Sequence, residues 1–275
     1  MYFLYSVLAS LALLLSSPWW LLRMLTSGKY RAGLGERLGR FPARLQYQAR
    51  RGPGIWIHAV SVGEVLAVGG LIRELREEYP DHRLVISTTT EAGHQLARTR
   101  YGPENVFYFP IDLGFAIRPY LRRLRPELVI MAETEFWPNF IHLARKSGAS
   151  IAVVNARVSD RSLPGYRRWR GLLKRVLENV DVFLAQTETD RERLIAIGGA
   201  PERVEVSGNL KFDVKPHHEA AIGAELECAI QSQGAHPVLV FGSTVEGEEP
   251  ALLAAFRGVL RAHPKALMML APRRP

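Results

Sequence analysis

Two carboxylates and a lysine fall where apolar runs end, the position at which parallel α/β proteins gather their reactive groups. Glu64 closes the stretch His58-Ala-Val-Ser-Val-Gly-Glu64. Before it lies the strand-like run 54–60, and after it Val65, Leu66, Val68, Leu71, Ile72 and Leu75 recur at helical spacing. Ser61 and Gly63 read as a tight turn, which puts Glu64 in the first helical turn at the carboxyl edge of a sheet. A glutamate there serves as a helix cap or as a proton acceptor, and the helix dipole lowers its pKa in either role. Glu133 ends the buried-looking run from Leu128, ahead of Thr134-Glu135-Phe136-Trp137-Pro138-Asn139. Pro138 suits the first position of a helix, so Glu135 reads as a helix-start residue. Glu133, at a strand tip, needs burial or a cationic partner to account for it. Lys211 lies just beyond the run Val204-Glu-Val-Ser-Gly-Asn-Leu, and Ser243 and Thr244 precede a helix starting near Gly247. Hydroxyls and free N–H groups at a helix start suit a phosphate, and N-capping explains them equally well.

The elements that must carry these residues follow from the hydrophobic rhythm. Short β-rich runs at 54–60, 83–89, 106–110, 128–133, 151–157, 182–187 and 204–208 alternate with amphipathic stretches at 64–78, 91–100, 115–125, 138–147, 165–179 and 189–197. That alternation predicts βαβ units, a parallel sheet and helices on both of its faces. The polar, proline-bearing segment 211–218 reads as an interdomain linker. Beyond it a helix (219–233), a strand (237–241), a helix (247–263) and a strand (266–270) begin a second α/β domain, which four elements cannot close.

Ahead of the α/β rhythm, Tyr2 to Leu22 carries no charge and is long enough to cross or embed in a bilayer, with Trp19 and Trp20 suited to a membrane interface. A cleaved signal peptide fits less well, because no basic segment precedes the apolar run and no small-x-small site precedes the tryptophans. The net charge is +9, and Arg23, Lys29, Arg31, Arg37, Arg40, Arg44 and Arg50 face only Glu36 among the first fifty residues. By the positive-inside rule this cluster keeps the remainder of the chain in the cytosol, next to anionic headgroups. The chain 1–27 is thus read as a membrane anchor, spanning or interfacial, and 28–53 as a basic juxtamembrane segment.

Other chemistries are excluded by composition. The single cysteine, Cys228, precludes a disulfide framework or a Cys-rich metal site, and the histidines show no ligand spacing, so neither metal nor cofactor is expected. Walker A, HExxH, GxSxG and CxxC sequences are absent, and Gly33-Leu-Gly-Glu-Arg-Leu-Gly39 has its last glycine one residue late for a dinucleotide loop, with no strand before it. No nucleic-acid module is present. The cluster Tyr166, Arg167, Arg168, Trp169, Arg170, Lys174 and Arg175 reads either as a solvated helix face or as a contact for acidic lipid headgroups.

Taken together, His58-Ala-Val-Ser-Val-Gly-Glu64, Glu133-Thr-Glu-Phe-Trp-Pro-Asn139, Asn155-Ala-Arg157, Gly208-Asn-Leu-Lys-Phe-Asp213, Ser243-Thr-Val-Glu-Gly-Glu-Glu249 and Ala271-Pro-Arg273 resemble, in order, the motifs of the 3-deoxy-D-manno-octulosonic acid (Kdo) transferases. The resemblance implies a GT-B glycosyltransferase: an acceptor-binding Rossmann-like domain (54–210), the start of a nucleotide-sugar-binding Rossmann-like domain (219–275), and a membrane anchor. It implies Kdo transfer from CMP-Kdo to a lipid A precursor at the cytoplasmic face of the inner membrane. Glu64 falls on the general base, and Glu133 and Lys211 on residues that stabilise the transition state. Pro272 and Arg273 match the start of the CMP-binding set, while Ser61, Gly63, Ser243 and Thr244 join them as substrate-binding candidates. The family's later segments that complete the CMP site have no counterpart here, so activity of these 275 residues alone is not expected. Two other readings share many of these features: a GT-B transferase or epimerase using a UDP-sugar, and a membrane-tethered lipid-binding module without catalysis.

Overall fold

The computed structural model describes residues 1–27, 31–46, 52–213 and 221–273. The chain divides into two compact units, Met1–Val214 and Lys215–Pro275. The expected linker 211–218 lies outside the described residues from Val214 on, as do Lys29 and Arg50 of the expected basic segment.

In the first unit, β1 (Gly54–His58), β2 (Arg83–Thr88), β3 (Val106–Tyr108), β4 (Pro126–Ala132), β5 (Ser150–Ala156), β6 (Val182–Ala185) and β7 (Val204–Val206) form one sheet in the order β3-β2-β1-β4-β5-β6-β7. Every strand pair is parallel. All five residues of β1 are buried, as a central strand with helices on both faces requires. Two apolar clusters flank the sheet. One centres on Trp56, Phe107, Phe140 and Phe183, the other on Ile55, Ile57, Val65 and Ile72. Trp56 is fully buried and satisfies its one polar atom by donating from Nε1 to Ser87 Oγ at 2.8 Å.

The strand order decides where chemistry can sit. From β1 the chain winds outward through β2 and β3, then returns to place β4 on the other side of β1. The loops leaving β1 and β4 therefore diverge and open a crevice at the carboxyl ends of those two strands. Those are the strands followed by Glu64 and Glu133.

Most expected elements appear within a few residues, with two local differences. The helix expected over 64–78 is two helices, Val62–Ala67 and Gly69–Glu78, meeting at Val68, where ψ is 0°. The helix expected over 165–179 is likewise Leu163–Arg168 followed by Arg170–Leu177, broken at Trp169.

The helix Tyr2–Ser27 begins on the globular part of the first unit: Tyr2 stacks on His142 with ring centroids 3.7 Å apart. In the second unit, helix Ala221–Gln233 precedes β8 (Val238–Thr244), helix Glu249–Ala262 and β9 (Leu267–Pro272), and the two strands pair in parallel.

Candidate functional site

Ser61 has extended backbone (φ −123°, ψ 170°) and is the N-cap of helix Val62–Ala67, so Glu64 occupies the third helical position. Its carboxylate turns back over the helix start. Oε2 accepts the Val60 N–H at 2.7 Å and Oε1 accepts the Ser61 hydroxyl at 2.9 Å. The Val60 N–H belongs to the residue before the N-cap, so this is a capping box shifted by one residue, and the Ser61 side chain makes no cap bond of its own. Glu64 is 8% exposed. Burial raises its pKa, the bonds from Val60 and Ser61 oppose the rise, and the Glu133 carboxylate adds to it. The expectation is of a carboxylate acidified by the helix dipole; burial moves it in the opposite direction. The tight turn expected at Ser61 and Gly63 is the helix start itself. Around the Gly63 Cα the nearest atom to an added Cβ would be Ser61 Oγ at 3.9 Å, so the space in front of the turn is open.

Glu133 is the residue immediately after β4 and sits at φ 58°, in the left-handed region that L-residues seldom occupy. Its N–H donates to Val154 O at 2.9 Å, which fixes the bend that turns the side chain off the strand line. The cationic partner required by the sequence is Lys211, whose Nζ lies 3.9 Å from Glu133 Oε1, with the glutamate side chain 25% and the lysine 49% exposed.

Lys211 is brought there by residues that the sequence reading left without a role. It lies in the 3-10 turn Leu210–Asp213, not in a free linker. Asn155, also left-handed at φ 54°, accepts the Leu210 N–H on Oδ1 at 3.1 Å. Gln186 donates to the Asn155 carbonyl at 3.0 Å, Asn209 donates to Gln186 Oε1 at 3.2 Å, and Lys211 N–H returns to Asn209 Oδ1 at 3.0 Å. Three amides from the ends of β5, β6 and β7 thus hold the turn. The motif order Asn155, then Asn209, then Lys211 was visible, but the contacts joining them span 55 residues.

Glu135 differs from its reading as a helix-start residue. The helix begins at Pro138 with Trp137 as its N-cap, and its first free N–H groups are met from the loop after β3: Asp112 accepts the Asn139 and Phe140 N–H groups at 3.0 and 2.7 Å. Glu135 is left half-buried beside the other two carboxylates. Burial pushes its pKa up to about 7, Glu64 and Glu133 add to the rise, and Trp137 opposes it. The Glu133-Thr-Glu135 spacing was the available signal, since residues two apart at a sharp bend can face one crevice.

His58, at the end of β1, is fully buried, stacked on Phe109 at 3.9 Å, and hydrogen-bonded through Nδ1 to Ser87 Oγ at 2.9 Å. Burial lowers its pKa to about 3, so it stays neutral and leaves Glu64 as the ionisable group on this edge nearest β1.

In the second unit, Thr244 and Arg273 meet where β8 and β9 end: Arg273 N–H donates to Thr244 O at 2.9 Å, and Pro272 pairs in register with Thr244. A pocket of about 620 Å³ is lined by Thr244, Val245, Glu246, Glu249 and Arg273. Ser243 sits at φ 61° within β8, and Thr244 is buried with no hydrogen-bond partner for its hydroxyl. Neither residue caps the following helix, which starts at Glu249 after the N-cap Glu248. The strand runs three residues further than expected and absorbs both hydroxyls.

The chain is 32% identical over 251 residues to the 3-deoxy-D-manno-octulosonic acid transferase of Haemophilus influenzae, covering 90% of this chain and 58% of that protein. It is 34% identical over 249 residues to the enzyme of the same name from Bordetella pertussis, covering 85% and 56%. The chain therefore spans somewhat over half the length of these curated relatives. Among solved structures it resembles UDP-GlcNAc 2-epimerase from Neisseria meningitidis bound to UDP-GlcNAc, with a TM-score of 0.55 and 13% identity over 79% of this chain and 64% of that one. That likeness shows the fold, an α/β architecture of GT-B type with a Rossmann-like first domain. The profile of the 3-Deoxy-D-manno-octulosonic-acid transferase (kdotransferase) family matches residues 32–214, which hold Glu64, Glu133, Asn155 and Lys211, and the chain belongs to that family.

Proposed function

We propose that this chain serves the transfer of Kdo from CMP-Kdo to a sugar hydroxyl of the lipid A precursor, with inversion at the anomeric carbon. Glu64 takes the hydroxyl proton as the acceptor oxygen bonds to the anomeric carbon. The bond from that carbon to the CMP phosphate oxygen breaks, and CMP leaves with the electron pair. Glu133 stabilises the positive charge that develops on the sugar, and Lys211 balances the negative charge of the donor. Ser61 and Gly63 border the acceptor's approach, and Ser243, Thr244, Pro272 and Arg273 belong to the nucleotide side. In this reading the acceptor domain covers 54–210, the donor domain begins at 219, and the site works at the cytoplasmic face of the inner membrane.

The observation that carries the reading is the state of Glu64. A surface helix cap would stay acidic and inert, whereas this carboxylate is oriented by two donors and made more basic by burial. The Glu133–Lys211 pair beside it supports charge stabilisation over simple capping.

The test is transfer from CMP-Kdo by the full-length protein carrying Glu64→Gln. The expected result is a fall in kcat of about 10²–10⁴-fold, the range of a lost general base. Because the base must be ionised, wild-type turnover should rise with pH through the raised Glu64 pKa, and the variant should lose that limb. Near wild-type turnover by Glu64→Gln would overturn the assignment. Inhibition by UDP in preference to CMP would favour a UDP-sugar enzyme, and lipid binding without any transfer would favour a non-catalytic module.

A further inference from the structure

The helix Tyr2–Ser27 has the length and apolarity to cross a membrane, but the contacts at its start argue for a different placement. Tyr2 stacks on His142, and its hydroxyl donates to the Arg175 carbonyl at 3.0 Å. Asn139, itself buried, donates from Nδ2 to Ser6 Oγ at 3.0 Å and to the Asp112 carbonyl at 2.7 Å. The first two turns are thus joined to the same buried network that caps helix Pro138–Lys146.

The other end of the helix is tethered to the same body. Four peptide links separate Ser27 from Arg31, a reach of about 15 Å at most. Just beyond them, Glu36 accepts the Tyr108 N–H at 2.9 Å and pairs with Arg44 at 2.7 Å. A helix of 26 residues is about 39 Å long. If it crossed a hydrocarbon core of about 30 Å, Tyr2 and Ser27 would lie on opposite sides. The globular part of the unit would then have to touch both.

We propose that this helix lies within one leaflet, both ends on the same side, and that the leaflet's anionic lipids place an acyl chain in the groove beside it. The outward face of the helix is apolar, with Phe3 83%, Leu4 62%, Leu14 66% and Leu15 82% exposed. A groove of about 570 Å³ separates Leu4, Tyr5 and Leu8 from Trp169, Leu172 and Leu173. The exposed cations Arg167, Arg168 and Arg170 flank the lining residues Tyr166 and Trp169 in the chain. An apolar channel edged by positive charge matches a lipid with an acyl chain and an anionic headgroup. Trp169, at the junction of the two short helices, lines this groove. The placement does not depend on the transfer reaction.

The test uses the chain with Cys228→Ser and one new cysteine, either inserted before Tyr2 or introduced as Thr26→Cys. Each variant is treated with a membrane-impermeant maleimide in right-side-out and inside-out vesicles. Single-leaflet placement requires both sites to label from the same side, and labelling from opposite sides would overturn it. For the groove, Trp169→Glu changes an exposed side chain and should spare the fold. It should lower partitioning onto vesicles of phosphatidylglycerol and phosphatidylethanolamine by about tenfold. Unchanged partitioning would overturn the lipid assignment. Loss of equal size on pure phosphatidylcholine vesicles would overturn the anionic preference.

Discussion

At the scale of single residues, the site is governed by how much water each carboxylate keeps. Glu64, Glu133 and Glu135 all follow strand ends, yet their environments differ: Glu64 is buried under two donors, Glu133 faces a lysine, and Glu135 is half-buried against two like charges. For Glu135 the consequence for stability has a definite sign. Its folded pKa of about 7 lies above the ordinary 4.5, so the fold favours the protonated form. That contribution is fully present below 4.5 and is lost as pH rises through 7. Glu135→Gln should therefore stabilise the protein above neutrality by about 1–2 kcal/mol, a figure reduced for the part of the group that stays in water. Below the ordinary glutamate pKa it should change little. Thermal melts at the two extremes of pH check this, and an equal shift at both would contradict it. Neither the magnitude nor the direction was legible in the sequence, where Glu135 looked like one more acidic residue before a helix.

At the scale of elements, the Leu210–Asp213 turn shows how a lysine far along the chain reaches the β4 edge. The turn is anchored by Asn155, whose left-handed backbone points Oδ1 at the Leu210 N–H. Asn155→Ala removes that acceptor and leaves at φ 54° a residue without the short polar side chain that makes the left-handed region tolerable to asparagine. The expected cost is about 1–3 kcal/mol, measured by denaturant unfolding, with faster hydrogen exchange at the Leu210 amide. Undiminished protection at that amide would mean that Gln186 and Asn209 hold the turn alone. The strands and helices themselves were readable from hydrophobic period, because burial on two faces makes β1 and β4 continuously apolar while the helices alternate. What period could not show was where a helix pauses. The breaks at Val68 and Trp169 interrupt runs whose apolar period continues across them.

At the scale of the whole molecule, the first unit is a single parallel sheet whose strand order makes one crevice, and its rigidity rests on the aromatic cluster beneath that crevice. Trp56 lies 4.8 Å from Phe140 and 5.2 Å from Phe107, centroid to centroid, with no exposed surface. Trp56→Ala should cost about 3–5 kcal/mol through the cavity it leaves and the lost bond to Ser87. Calorimetry of the first unfolding transition measures it, and a loss below about 1 kcal/mol would mean that the cluster repacks around the gap. By itself, the sequence determined the alternation of strands and helices, the apolar first helix, and the placing of Glu64, Glu133 and Lys211 at strand ends, since each is a local pattern of residue types. Only the tertiary structure decided that Glu64 is made more basic instead of more acidic, that Lys211 is the partner of Glu133, that Glu135 shares their crevice, and that the first helix is fastened at its start to the helix Pro138–Lys146 and its neighbours. Those outcomes depend on desolvation and on contacts between residues scores of positions apart, and no local pattern encodes the distance between two such groups.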